Sequence, residues 1–331
     1  MSQAGTVLEL IQARRRDQVV ELVRSVAGDA NLAEAVALLT EVQREVGRRW
    51  QQQQFTVADE HAATAIVDLA LSAACLDAAV SSPPAGDGAV VVTCAEEEWH
   101  VMPARMLAEQ LWAAGWDVVF LGASTPAEHL QKFLAARRPD AVALSCTVPL
   151  HLPGARRSIS ASHAAGVPVL AGGAGFGTGP GRAAAIGADA WAADTGSATT
   201  ILTRWASSTP VLAAPTADEA PALALAAERP ALTDRAMSAL AARYPPLAHY
   251  TAWQLARTRE DFGYILRFTE ASILANDDSI ATDFARWLTS VLAARHLPDR
   301  IVPLSIGVLR DCLPNGFSEA DRLLHAMTTA S

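Results

Sequence analysis

Lysine is almost absent from this sequence. Lys132 is the only one among 26 basic residues, so arginine carries nearly all the positive charge as a compositional habit rather than as the mark of a site. There is no long basic run either. The densest cluster is Arg14-Arg15-Arg16, which on a helix reads as a solvated face, and the formal net charge is −9. Direct nucleic-acid binding needs a basic stripe or an interleaved aromatic platform, and the sequence offers neither. The four cysteines, Cys75, Cys94, Cys146 and Cys312, lie far apart with no CxxC spacing. That excludes a zinc module and reads as free thiols in apolar segments. The N-terminus lacks the apolar core of a secretory signal, and no hydrophobic run is long enough to span a bilayer. No membrane partner is expected, and the expected compartment is the cytoplasm.

What is present supports a large core. The chain is 51% hydrophobic and only 18% charged over 331 residues, which suggests two or three globular domains. Three patterns follow one another. Residues 5–82 read as helix throughout, with apolar positions at Val19, Val20, Leu22, Val23 and Val26, then Leu32, Ala35, Val36, Leu38 and Leu39. Asn31 is suited to cap one helix, and Thr56 with Asp59 forms a capping-box pattern for another. Four antiparallel helices over 1–82 fit this length.

The "SSPPAGDG" turn at 81–88 then changes the period. Short apolar runs at 89–95, 117–123, 140–146, 167–174 and 189–194 alternate with helical segments, one starting at Thr125-Pro126 with Glu128. Continuous apolar strands between helices mean a parallel sheet buried on both faces, so 83–208 reads as a doubly wound, Rossmann-like α/β domain. Residues 209–233, with Pro210, Pro215, Pro221 and Pro230, read as a linker. From 234 to 331 the pattern is helical again, with Ile280, Phe284, Trp287, Leu288, Val291 and Leu292 on one stripe and Ser318 suited to cap a last helix. The expected fold class is therefore multidomain, all-α at both ends and α/β in the middle.

In open α/β sheets ligands bind beyond the carboxyl ends of the strands. The loop after the first strand, "EEEWHVMP", carries His100, with Glu98 two residues earlier and Pro103 opening the next helix. An imidazole there can ligate a metal through one ring nitrogen while the carboxylate fixes its tautomer through the other. After the third strand comes Ser145-Cys146-Thr147, and after the fourth Gly172-Gly173. Hydroxyls at one strand end and paired glycines at the next suit a ligand tail, because glycine permits close backbone approach.

These residues resemble the cobalamin-binding fold, whose pattern is Asp/Glu-x-His-x-x-Gly, then Ser-x-Leu/Thr, then Gly-Gly. Here Glu98-Trp99-His100-Val101-Met102-Pro103 departs from it at Pro103, where the family has glycine. The resemblance implies that His100 is the lower ligand of cobalt in a base-off, His-on cobalamin. Trp99, Val101 and Met102 would then line the corrin, with Ser145, Thr147, Gly172 and Gly173 around the tail. The helical bundle in turn resembles the cap of light-responsive cobalamin regulators, whose Trp-x9-Glu-His signature is matched by Trp50, Glu60 and His61. That implies an adenosyl group above cobalt, with Trp50 as apolar lid and Glu60 accepting from ribose hydroxyls. In those regulators a histidine follows the signature tryptophan and can bind cobalt after the adenosyl group leaves. Gln51 stands there in this chain, so water or His61 is expected to take that position instead.

The bundle starts almost at Met1, so the DNA-binding module of such regulators is not expected, and helices follow the α/β domain. This order resembles the photocobilins, which pair adenosylcobalamin with biliverdin. The resemblance implies a bilin in a C-terminal globin- or phycobiliprotein-like domain. Candidate contacts are Tyr250, Trp253, Arg257, Arg259, Asp261, Tyr264 and Arg267, the arginines for propionates and Asp261 for pyrrole N–H groups. Cys312 is the only thiol available there, so non-covalent binding is expected. The implied function is a non-enzymatic photoreceptor, homo-oligomeric with light-dependent assembly, that signals to a downstream enzyme. Two other readings stand beside it: a corrinoid protein of a methyltransferase system, and a haem- or ligand-sensing module using His249, His296 or His325.

Overall fold

The computed structural model describes residues 2–29, 31–79, 88–298 and 300–331. Helices α1 (Gln3–Gln12), α2 (Arg16–Asp29), α3 (Leu32–Gln51) and α4 (Val57–Ala79) form the first unit. The Asn31 side chain caps α3 by accepting from the Glu34 N–H at 3.1 Å. Thr56 and Asp59 form the expected reciprocal box at the start of α4, at 2.9 and 3.1 Å. Helix α4 packs against α2 and α3. The bundle core includes Leu8, Val23, Leu39, Val42, Val67 and Leu71. The turn expected at 81–88 and the 82/83 boundary fall outside the described residues, except for Gly88.

The α/β unit runs β1 (Ala89–Cys94), α5 (Met102–Ala113), β2 (Asp117–Gly122), α6 (Ala127–Arg137), β3 (Ala141–Ser145), α7 (Leu152–Ala164), β4 (Val169–Gly172), α8 (Gly181–Ala185), β5 (Ala190–Ala192) and α9 (Thr195–Ser207). Its five strands are parallel in the order β2-β1-β3-β4-β5. The fold class read from the sequence is thus the one observed. Order reverses between β1 and β3, which makes the gap between their carboxyl ends the crevice of the sheet.

Five helices follow: α10 (Ala220–Arg243), α11 (Ala252–Ala275), α12 (Ser279–Ala294), α13 (Ile301–Asp311) and α14 (Ser318–Ala330). Here the sequence reading needs correction, because residues 220–233 are not linker but the first part of α10. Pro221 sits in the first turn, where no intrahelical donor is lost, and Pro230 is carried inside the helix. Burial of Leu225 and Leu232 in the core offsets that proline. Only 208–219 lies outside helices α9 and α10, and the Asp189 carboxylate holds it by accepting from the Ala213 N–H at 2.6 Å. Two expected caps also differ. Ser318 is the first residue of α14 and makes no cap bond, while Asp321 instead pairs with Arg310 at 2.7 Å. Helix α6 is preceded by Pro126 as cap residue, one position after Thr125.

One core runs from the sheet into the C-terminal helices, joining Val142, Leu144, Ile159 and Val169 to Leu232, Phe262, Leu266, Phe284 and Leu323. Three ion pairs cross the same boundary: Arg182–Asp277 at 2.8 Å, Arg156–Glu219 at 3.0 Å and Arg267–Glu97 at 2.9 Å. No helix among the described residues is long and apolar enough to cross a membrane. Cys75, Cys94 and Cys146 are buried and Cys312 partly so, all as free thiols. Burial pushes the Cys75 and Cys94 thiols up to about 12.

Candidate functional site

The loop leaving β1 and the loop leaving β3 meet at the reversal of strand order, and Glu98 joins them. Its side chain is fully buried. One carboxylate oxygen accepts from the backbone N–H groups of Thr147 and Val148 at 2.9 and 3.0 Å. The other accepts from the His100 backbone N–H at 2.9 Å and lies 2.6 Å from His100 Nδ1. Burial alone would raise this carboxyl, but the side-chain and backbone bonds from His100 and the Val148 N–H outweigh it and bring it to about 2. Glu98 is therefore a permanent anion, stabilised by donors from both loops.

That anion sets the imidazole. With Nδ1 bonded to Glu98, His100 presents Nε2 outward from a side chain that is 59% exposed. The bond to Glu98 raises the His100 pKa against the opposing effect of burial, which is the basicity gain expected of a metal-ligating histidine backed by a carboxylate. A second imidazole, His151, lies 3.9 Å from Glu98 with its Nδ1 buried and unpartnered, and burial lowers its pKa. It was not singled out from the sequence. Only its position after β3 could have marked it.

The ligand loop is under conformational control. Glu97 has a positive φ of 71°, which is uncommon for a residue with a side chain. Its carboxylate is held by Arg157 at 3.0 Å and Arg267 at 2.9 Å, and Glu96 is bonded to Arg157 as well. Gly154 of α7 lies under the loop, where an added Cβ would come within 2.0 Å of the Glu96 carbonyl oxygen. Sequence reasoning missed Glu97, Arg157 and Gly154, since their roles depend on contacts between distant segments.

Beyond the carboxyl ends of β3, β4 and β5, a cavity of about 130 Å³ is lined by Ser145, Gly172, Gly173, Pro103, Leu107 and Thr195, among others. At Gly173 (φ 97°) a Cβ would lie 2.5 Å from the Cys146 carbonyl oxygen, so the backbone there requires glycine. The Thr147 hydroxyl is buried with no hydrogen-bond partner. A slot with paired glycines and an unsatisfied hydroxyl close by fits the tail of a nucleotide-like ligand.

The helical unit supplies the opposite side. Met102 and Met106 of α5 enter the bundle core, and Val101 is the residue preceding α5. Trp99 is 72% exposed, a flat apolar surface next to the imidazole. The Glu60 carboxylate is near enough to act electrostatically on His100. It accepts from the Thr64 hydroxyl at 2.9 Å and pairs with His61 Nδ1 at 2.9 Å, so His61 is engaged with Glu60. Trp50, at the end of α3, stacks on Trp287 of α12 with ring centroids 6.3 Å apart and planes inclined by 22°. Gln51 donates to the Ser290 hydroxyl at 3.3 Å. The structure thus joins His100 to Glu98 and brings Glu60 of the bundle into electrostatic range of the imidazole, while Trp50 lies against α12.

Similarity to known proteins covers the bundle and the α/β unit. Residues 88–200 match a family model described as B12 binding domain, and residues 4–74 match a second model of the same description. This chain carries B12-binding domains. The geometry fits a cobalt corrinoid, with an Nε2 donor fixed by Glu98 and a glycine-lined slot beside it. Over 102 residues the chain is 38% identical to the HTH-type transcriptional repressor CarA of Myxococcus xanthus, covering 31% of this chain and 33% of that protein. Over 101 residues it is 36% identical to CarH of the same organism, covering 30% and 32%. The matched part thus spans about a third of each relative. The fold resembles the Methanosarcina barkeri monomethylamine corrinoid protein, at TM-score 0.51 and 18% identity over 60% of this chain and 96% of that one.

The bilin candidates are distributed unevenly. Trp253, Arg257, Asp261 and Tyr264 share one side of α11, with Trp253 69% exposed and Arg257 6.0 Å over its ring. Burial pushes the Asp261 carboxyl up to about 6. Tyr250 packs edge-on against Tyr244 at 6.3 Å. Arg259 is paired with Asp234. Arg267 is not grouped with the others, because it holds Glu97 of the ligand loop. His249, His296 and His325 are all exposed, whereas a haem ligand is enclosed by its pocket.

Proposed function

We propose that this protein is a light sensor that holds adenosylcobalamin between its bundle and its α/β domain, His100 below cobalt and Trp50 with Glu60 above. The observation that carries this reading is the buried Glu98 fixing His100 Nδ1, with Glu60 of the bundle near enough to act electrostatically on the imidazole. When bound, such a cofactor supplies a cobalt–carbon bond that visible light breaks. The residues of the chain then divide the work. Glu98 keeps the imidazole in the ligating tautomer, and Gly173 admits the tail. Glu60, steadied by Thr64 and His61, offers a carboxylate to ribose hydroxyls, and Trp50 excludes water. Once those upper contacts are lost, the equilibrium of the bundle shifts by the difference in affinity between its two positions.

Biliverdin is proposed as a second chromophore on α11, with Asp261 accepting from pyrrole N–H groups and Arg257 facing a propionate. It would extend absorption to longer wavelengths. A cytoplasmic homo-oligomer whose assembly changes with light, acting on a partner enzyme, completes the proposal. The likeness to a corrinoid protein favours a second reading, a methyl carrier, which needs neither Glu60 nor the α11 face. The test is to reconstitute the chain in darkness with adenosylcobalamin and biliverdin and record absorption before and after green and red illumination. Cleavage of the alkyl form under green light together with a red bilin band is the expected result. Stable methylcobalamin with transfer to a thiol would favour the carrier.

A further inference from the structure

The C-terminal helices contact the surroundings of His100 at two places, Arg267 of α11 at the loop before it and Trp287 of α12 at the end of α3. Arg267 of α11 reaches Glu97, three positions before His100, at 2.9 Å. Phe268 stacks on Phe284 with centroids 3.9 Å apart and planes inclined by 10°. Phe284 lies 5.8 Å from Trp287, and Trp287 lies 6.3 Å from Trp50. Neighbouring helical residues point about 100° apart, so one segment of α11 braces the ligand loop while also forming the base of an aromatic column. The column ends in solvent-accessible indole. Trp287 keeps 37% of its surface exposed although it stacks on both sides. An exposed tryptophan at an internal junction is unusual for a domain core.

We infer that Trp287 forms part of the wall of the compartment above His100 and selects corrinoids with a bulky upper ligand. The inference rests on the reading that Trp50 and Glu60 cover the upper face of a corrinoid. Trp50 is half-buried and has one ring face against Trp287, so a group lodged beside Trp50 meets the indole of α12 at the same edge. The Gln51–Ser290 bond at 3.3 Å holds α12 against the end of α3. Shared core and ion pairs keep α12 from swinging away, so the wall is preformed. A small upper ligand such as water or hydroxide is too short to use it. Selection therefore acts on the adenosyl form and leaves the corrin itself aside.

The test compares full-length wild type with Trp287→Ala and Trp287→Leu in darkness, titrating adenosylcobalamin and hydroxocobalamin. Leu223→Ala, at an exposed apolar residue of α10 in the same set of helices, serves as control. Loss of an aromatic wall is expected to weaken adenosylcobalamin binding about tenfold while hydroxocobalamin binding changes less than about twofold. Leu223→Ala is expected to leave both unchanged. Equal weakening of both corrinoids by Trp287→Ala would assign the residue a general structural role and overturn the inference, as would wild-type affinity for both. Failure of wild type to bind any corrinoid would instead overturn the functional reading on which the inference rests.

Discussion

The two helical units are attached to the α/β domain in opposite ways. The C-terminal helices share one apolar core with the sheet, and Arg182, Arg156 and Arg267 pin the seam. The N-terminal bundle has a core of its own, which among the described residues only Met102 and Met106 enter from the α/β side. Its polar ties are few and partly exposed, such as Arg105 to Asp68 at 3.4 Å. Burial of apolar area contributes most to such docking, so the α/β domain and C-terminal helices behave as one body and the bundle as a second. A ligand seated between the bodies can move one against the other. A ligand seated within the fused body has to act through it. The bundle is therefore the part expected to respond to the upper ligand of cobalt.

The largest effect tests the ligand-dependent half of that contrast. A corrinoid at a thousand times its Kd stabilises wild type by about 4 kcal/mol. In His100→Ala most of that gain is expected to vanish, together with the spectrum of imidazole-ligated cobalt. Chemical denaturation with and without hydroxocobalamin measures the first, and visible absorption the second. Retention of both would remove His100 from the site.

Next comes the fused core. Leu266→Ala removes a fully buried side chain of α11, and is expected to cost about 3 kcal/mol. Because the core is shared, circular dichroism and the fluorescence of Trp191 and Trp205 should report one transition shifted as a whole. Leu39→Ala, of similar cost in the bundle, should instead open the bundle ahead of the rest. Coincident unfolding in both variants would show that the two seams are equally tight.

How much of this was legible beforehand follows the same division. The sheet and its switch-point loop were readable because apolar strand runs and Glu98-x-His100 are local patterns. Trp50 and Glu60 stand out in the sequence as a spaced pair, but their contacts with Trp287, Thr64 and His61 do not. Helix α10 was misread because four prolines outweighed the apolar positions of Leu225 and Leu232, whose partners lie in α11 and α13. Arg267 was grouped with exposed arginines since nothing local distinguishes it; its partner, Glu97, is 170 residues away. Trp287 looked like one more member of an apolar stripe. Contacts across a seam leave no periodicity in either segment.

A smaller effect separates the two halves of α11 itself. From Phe262 onward the helix is largely buried, whereas Ala252–Glu260 is largely exposed, and Asp261 lies at the junction. Burial raises its carboxyl to about 6, against an ordinary value near 3.9. The folded state thus holds the proton more tightly than the unfolded chain, so stability falls as pH rises from about 4 to about 6 and stays lowered above. Asp261→Asn is expected to be more stable than wild type by about 2 kcal/mol at pH 7.5 and nearly equal to it at pH 3.5. The same change should weaken biliverdin binding. Urea titrations at both pH values and a biliverdin titration decide it, and unchanged binding would move the bilin away from this helix face.

The smallest effect concerns a single staple of the fused seam. Arg182 donates to Asp277 at 2.8 Å, to the Ser279 hydroxyl at 3.1 Å and to the Gly175 carbonyl at 3.1 Å. Asp277 is partly buried, which alone would raise its carboxyl, yet bonds from the Ser279 hydroxyl and from Arg182 bring it below its ordinary value. Its contribution is present above the unfolded pKa and is lost as pH falls through the folded one. Arg182→Met keeps the apolar stem and removes the donors, and is expected to cost about 1 kcal/mol at pH 7. As pH falls through the lowered pKa of Asp277, the difference should shrink. A pH-independent loss would mean that the bond to the Ser279 hydroxyl, rather than the ion pair, is what joins α8 to the turn between α11 and α12. The seam would then depend on packing and neutral hydrogen bonds, and salt should leave it untouched while still loosening the polar ties of the bundle.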